Sequence, residues 1–292
     1  MPIQAWSPCC GDGALRLTNS RGGNIIIHVR IVAGEISLSG NDYTVREIRF
    51  GEQGRSIYGE LYLPNGVERP KLIIYAHEIG CTHTTSRAYA AYLAGRGYAF
   101  FAPDFRGGGE RSKSEGDTVD MSVLTEVEDL EEIFDQVRGW DFVDGERPVL
   151  FGASQGGFVA AIYAGRHPER VSALIELYPA FAIPDAMHKD YKSVDEVPDR
   201  YFFKGWLWSG KRYVRDMWDY DKYAETMNYR GPVLIVQGDS DAIVPPHTVV
   251  SAAERYENAR LHILPGAGHM FSGEYTETTK ALIDEFLTAN NC

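Results

Sequence analysis

Pro148-Val149-Leu150-Phe151-Gly152-Ala153-Ser154-Gln155-Gly156-Gly157 is the stretch that decides how this chain is read. An apolar run leads straight into a G-x-S-x-G turn, and an Ala-rich stretch of helical character follows from Gln155. G-x-S-x-G alone is a weak signal, but between a buried strand and a helix it describes a nucleophile elbow. Such an elbow holds its serine in a strained backbone conformation, with Oγ projecting at the carboxyl edge of a sheet. Glycines two before and two after it remove side chains that would collide in so tight a turn. The helix N-terminus that follows favours developing negative charge.

Working outward, residues 45–50 and 56–63 alternate around the turn Gly51-Glu52-Gln53-Gly54 and predict an antiparallel hairpin. Residues 72–76 and 98–102 predict buried strands, with a helix over 86–96 between them that stops at Gly97. Asp120 or Ser122 caps a helix whose Val123, Val127, Leu130, Ile133, Phe134 and Val137 recur at helical spacing. Its Glu126, Glu128, Asp129, Glu131 and Glu132 read as a solvated face. Further strands are predicted over 149–153, 173–178, 233–237 and 261–264, and further helices over 155–167 and 276–290. Strands alternating with helices predict an α/β fold: a mostly parallel sheet, antiparallel at its N-terminal hairpins, with helices on both faces.

Two segments depart from that pattern. Residues 180–228 carry no buried strand and are dense in Phe, Tyr and Trp, which predicts a small helical cap insertion within a main domain spanning 43–292. Residues 1–42 are rich in Gly, Ser and Asn. There an apolar run over 24–32, the turn Ala33-Gly34 and a short run over 35–38 predict an N-terminal extension with a β-hairpin. This reads as an edge decoration, and it leaves room for an arm that builds a homodimer.

Composition excludes several classes of function. With 29 basic against 41 acidic residues, a formal net charge of −12, the chain lacks the clustered cations of a nucleic-acid binder or of an anionic-membrane patch. No stretch approaches the roughly 18 apolar residues of a membrane span. The first residues show no basic segment followed by an apolar run, so no leader is expected. The cysteines Cys9, Cys10, Cys81 and Cys292 are too few and irregular for a disulfide scaffold, and free thiols suit a cytoplasmic location.

A serine nucleophile needs a base. In this architecture the order along the chain is nucleophile, acid, base, with the base in a loop after the last strand. Of the eight histidines, His269, in Pro265-Gly266-Ala267-Gly268-His269, is the one so placed. The acid belongs in Gly238-Asp239-Ser240-Asp241-Ala242-Ile243-Val244-Pro245, where Asp239 and Asp241 are both in loop reach. Turn chemistry suits Asp239 to an Asx turn, which leaves Asp241 for His269. An oxyanion hole needs two backbone N–H donors. Gln155 and, from His77-Glu78-Ile79-Gly80, Ile79 are the expected pair. His77, Glu78, Cys81 and His83 spell H-E-x-x-x-C-x-H, which is not the H-E-x-x-H spacing of zinc peptidases, so no metal and no organic cofactor are expected.

These motifs resemble the α/β-hydrolase superfamily and, more narrowly, the bacterial feruloyl or cinnamoyl esterases. The resemblance spans roughly residues 43–290. It rests on Gly152-Ala153-Ser154-Gln155-Gly156-Gly157, on Gly238 to Pro245, on Pro265 to His269, and on Asp104-Phe105-Arg106-Gly107-Gly108-Gly109-Glu110-Arg111-Ser112. It implies that Asp241 is the acid. It also implies that the insertion roofs a pocket for an aromatic acid, with Phe181, Trp206 and Trp208 as candidate substrate contacts beside Glu78. Glu78 stands where those esterases carry Gly, and Ala153 where they carry His.

The expected function is hydrolysis of a small-molecule carboxylic ester, of a hydroxycinnamoyl type, by Ser154, His269 and Asp241. The alternatives are a generalist short-chain carboxylesterase, a peptidase or thioesterase with the same three residues, and a binding protein that keeps the fold without catalysis. A dienelactone-type hydrolase would have Cys in place of Ser154.

Overall fold

The computed structural model describes residues 15–18, 24–27 and 42–292. Two short strands, β1 (Leu15–Thr18) and β2 (Asn24–Ile27), pair antiparallel. The apolar run that predicts a strand from 24 thus forms one over its first part, paired with the segment before it. Residues 33–38 lie outside the described residues.

The body is an eight-stranded sheet. Its strands along the chain are β3 (Tyr43–Phe50), β4 (Ile57–Pro64), β5 (Lys71–Ala76), β6 (Ala99–Pro103), β7 (Asp144–Ala153), β8 (Ala173–Leu177), β11 (Val233–Gly238) and β12 (Ala259–Leu264), in the spatial order 12-11-8-7-5-6-4-3. From β6 across to β12 every pairing is parallel. Only β4 runs against its neighbours, paired antiparallel with both β3 and β6.

Central strands are apolar without interruption because both of their faces are covered. The period of two then sorts neighbours to opposite cores. Ile74 and Leu150 face a core shared with α2 (Val123–Arg138), α3 (Gln155–Arg166) and α6 (Pro246–Ala253). Ile73, Tyr75, Val149 and Phe151 face one shared with α1 (Arg87–Ala94) and α7 (Glu274–Ala289).

The helix start is at Ser122, whose side chain accepts from the Thr125 amide while Thr125 Oγ1 accepts from the Ser122 amide, a capping box. The acidic side of α2 is not uniformly solvated, however. Glu126 and Asp129 are buried, Asp129 paired with Arg106 at 2.6 Å and Glu126 bonded to Gln155.

The insertion is also richer than a helical cap. It contains α4 (Ile183–Asp190) and α5 (Lys211–Met217), but between them lies a hairpin of β9 (Arg200–Phe203) and β10 (Leu207–Gly210). Lys204 and Gly205 turn that hairpin with φ of 47° and 79°, left-handed geometry suited to a tight turn.

Candidate active site

Ser154 joins β7 to α3 at φ 52° and ψ −120°, a conformation that costs a non-glycine residue on the order of 1–3 kcal/mol. Its glycine neighbours are required by contact. A Cβ on Gly152 would lie 2.2 Å from the Gly156 carbonyl oxygen, and one on Gly156 would lie 2.1 Å from that of Ala76. The turn is therefore pressed against itself and against the end of β5.

Four loops at the carboxyl ends of adjacent or near-adjacent strands converge here. Ser154 Oγ lies 3.0 Å from Nε2 of His269, which follows β12, and His269 Nδ1 lies 2.8 Å from Asp241 Oδ2, which follows β11. The Asp241 side chain is inaccessible to solvent. Burial alone would push its carboxyl up. The His269 hydrogen bond, with the amides of Val244 and Ile243 donating at 2.9 and 2.8 Å, outweighs that and holds it below the usual carboxylate range. Asp239 turns elsewhere and accepts from the Gly266 amide, tying the two loops together. The Tyr178 ring packs against the His269 imidazole, centroids 4.6 Å apart.

The fourth loop follows β5. Among the described residues, neither the Ile79 nor the Gln155 amide donates a hydrogen bond within the protein. His77 is fully buried; its Nδ1 is 2.8 Å from the Glu78 carbonyl, and its Nε2 accepts from the Phe105 amide at 3.0 Å. His77 thus joins this loop to the 104–112 loop. His83 Nδ1 lies 2.7 Å from Asp104 Oδ1, and its Nε2 lies 3.2 Å from Glu60. Both histidines are engaged by the fold.

The candidate substrate contacts separate. The Glu78 carboxylate is buried and accepts from the hydroxyls of Thr85, Tyr178 and Tyr75 at 2.8, 3.1 and 3.3 Å. Phe181 is sealed in the core against Phe158. Trp206, half exposed at the hairpin turn, lies against Gly80, and Trp208 carries Arg200 over its ring at 4.3 Å. Arg200 and Trp208 line a crevice of about 280 Å³ together with Gly109, Glu110 and Asp117.

One residue that sequence reasoning valued only for its backbone is Gln155, whose side chain links Glu126 to Tyr213. The signal available was a Glu in the first turn of α2, but nothing in the sequence says which acidic residue of that run turns inward.

Fold and site together define an α/β-hydrolase. Within that class, residues 84–290 match the prolyl oligopeptidase family, also described as peptidase family S9, and the chain belongs to it. Among solved structures it is similar to Est1E from Butyrivibrio proteoclasticus, with 24% identity over 84% of this chain and 98% of that one and a TM-score of 0.74. A structure of Est1E with ferulic acid bound is similar at 25% identity, over 82% and 99% of the two chains, again with a TM-score of 0.74. A monoacylglycerol lipase from Paleococcus ferrophilus is similar at 19% identity, over 80% and 99%, with a TM-score of 0.61. Among the described residues no helix is long and apolar enough to cross a membrane.

Proposed function

We propose that this protein is a serine ester hydrolase that cleaves carboxylic esters of aromatic, hydroxycinnamoyl-type acids through an acyl-enzyme. The observation that carries the reading is the hydrogen-bonded chain from Ser154 Oγ through His269 to Asp241, at 3.0 and 2.8 Å. Ser154 Oγ attacks the ester carbonyl carbon as its proton passes to His269 Nε2. Asp241 accepts from Nδ1–H and stabilises the imidazolium. The carbonyl oxygen, now an anion, accepts from the Ile79 and Gln155 amides. Collapse of the tetrahedral intermediate breaks the bond to the alcohol, which takes the proton from Nε2. Water, activated by the same imidazole, then releases the acid and restores Ser154.

An aromatic acyl group is supported by where large apolar side chains stay exposed. Ile243 and Met270 flank Asp241 and His269, and Phe202, Trp206 and Trp208 stand on the cap hairpin. Flat ligands suit such surfaces. The ferulic acid complex of Est1E, a protein of similar fold matched over 82% of this chain, points the same way. A reducing compartment such as the cytoplasm fits the free thiols of Cys81 and Cys292. The family match favours a second reading, cleavage of peptides, since the family is described by a peptidase.

The test is fluorophosphonate labelling with mass spectrometry, followed by turnover of methyl ferulate, p-nitrophenyl acetate and a prolyl p-nitroanilide peptide. A single adduct on Ser154 with methyl ferulate preferred is the expected result. Preference for acetate would make it a generalist, and preference for the anilide a peptidase. No adduct and no turnover would leave a binding protein.

A further inference from the structure

Gln155 has two roles. Its amide N–H is the second oxyanion donor of the proposed mechanism, and its side chain runs the other way, into the interior. The carboxamide Nε2 donates to Glu126 Oε2 at 2.9 Å, and its Oε1 accepts from the Tyr213 hydroxyl at 2.7 Å. Glu126 belongs to α2 and is fully buried, and its other oxygen has no hydrogen-bond partner among the described residues. Tyr213 belongs to the cap helix α5 and is also buried. One carboxamide therefore joins the body of the fold, the nucleophile helix and the cap.

A buried carboxyl group with no cation beside it is a poor device for stability, because an apolar side chain of similar volume avoids the desolvation cost. Burial pushes the Glu126 carboxyl well above its usual range, against the opposing effect of the Gln155 hydrogen bond. The group is explained by what it holds. The peptide between Ser154 and Gln155 carries the oxyanion N–H, and Ser154 is in a strained conformation. Relaxing that strain means rotating about Ser154 ψ, which swings the N–H away from the reacting carbonyl. A Gln155 side chain tethered at both ends of its carboxamide opposes that rotation, because Cα cannot follow without breaking both bonds.

We propose that Glu126 and Tyr213 are positioning residues for the oxyanion amide of Gln155, so that the cap, through Tyr213, governs the rate of acylation as well as the shape of the pocket. This rests on the reading of Ser154 as nucleophile.

The experiment compares the full-length protein with Tyr213→Phe, Glu126→Leu and Glu126→Gln. Active sites are counted by fluorophosphonate labelling, and kcat and KM are measured with p-nitrophenyl acetate beside thermal midpoints. Tyr213→Phe and Glu126→Leu are expected to lower kcat per labelled site about 10- to 100-fold, the scale of a misaligned oxyanion donor, with KM within about twofold. Glu126→Gln keeps an acceptor oxygen for the carboxamide and is expected to stay within about threefold of the parent. An unchanged kcat per labelled site in Tyr213→Phe, with only the midpoint lowered, overturns the proposal and leaves a packing role. If Glu126→Leu does not fold, Tyr213→Phe decides alone. A parent protein that neither labels nor turns over removes the nucleophile reading itself, and the proposal with it; a reactive parent with indifferent variants removes the proposal only.

Discussion

The indole of Trp206 occupies the space that a side chain on Gly80 would need: Cζ3 of the ring lies 2.4 Å from where a Cβ on Gly80 would stand. The cap hairpin thus rests on the loop that carries the Ile79 amide, and Gly80, at φ 69°, is the residue that lets it rest there. Gly80→Ala is expected to lower kcat toward p-nitrophenyl acetate by at least about tenfold, by displacing either the ring or the loop. Trp206→Ala is expected to raise KM for methyl ferulate about tenfold, near 1.4 kcal/mol of binding, with little change in thermal midpoint. If the contact is the cause, adding Trp206→Ala to Gly80→Ala recovers part of the lost kcat. Strict additivity of the two changes would show that they act apart.

Phe181 behaves differently although it is an aromatic of the same insertion. It is fully buried against Phe158, with Tyr223 beyond it. Phe181→Ala is expected to cost about 3–5 kcal/mol in urea unfolding, the range for truncating a buried ring, with KM for p-nitrophenyl acetate unchanged. A shift in KM with stability intact would instead put Phe181 in contact with substrate.

Asp241→Asn keeps the shape of the acid and removes its charge. An amide there accepts less well from His269 Nδ1–H and can donate to it, which favours the wrong tautomer, so kcat is expected to fall roughly 10⁴-fold while the fold is retained. Ser154→Ala is expected to abolish both turnover and fluorophosphonate labelling. An Asp241→Asn variant within tenfold of the parent would show that His269 is oriented by something else.

His83 supplies a pH dependence of stability. Burial alone would lower its pKa, but hydrogen bonds to Asp104 and Glu60 outweigh burial and raise it to about 9. An unfolded histidine titrates near pH 6.5. The folded pKa is the higher, so this contribution is fully present below about pH 6.5 and is lost as pH rises through about 9. It is on the order of 3 kcal/mol. The urea midpoint is therefore expected to fall between pH 6.5 and 9.5, and His83→Gln to flatten that limb. Because Asp104 also accepts from the His83 and Lys113 amides, at 2.7 Å each, the 104–113 loop is the segment that should loosen first on the alkaline side.

How far the sequence carries the reader depends on how local each signal is. The elbow is legible because every residue that makes it, from Gly152 to Gly157, is within one turn of Ser154, and the glycines stand two residues to either side of it. The sheet is legible for a similar reason, since runs such as Leu72 to Ala76 need no distant partner to declare themselves buried. Asp239 and Asp241 are not separable that way. Asp241 is distinguished by the Ile243 and Val244 amides folding back on it, and those bonds form only once the loop has its shape. The inward turn of Glu126 and Asp129 is hidden for the opposite reason: their partners Gln155 and Arg106 lie 29 and 23 residues away, and an acidic run looks the same whichever of its members meets them. The cap hairpin hides in its own aromatics. Phe202 and Trp208 are half exposed and paired across the hairpin, so the apolar count rises without the alternation that marks a half-buried strand; the Lys204-Gly205 turn was the clue available.

Ser122 has a second bond besides those that open α2: its hydroxyl donates to Asp216 of the cap helix at 2.7 Å. The same oxygen thus begins a core helix and fastens the cap helix. A chain in which that helix start is frayed loses one of the bonds that hold the cap helix, however well formed its sheet. Hydrolytic rate is then expected to be a stricter gauge of correct folding than any signal from secondary structure.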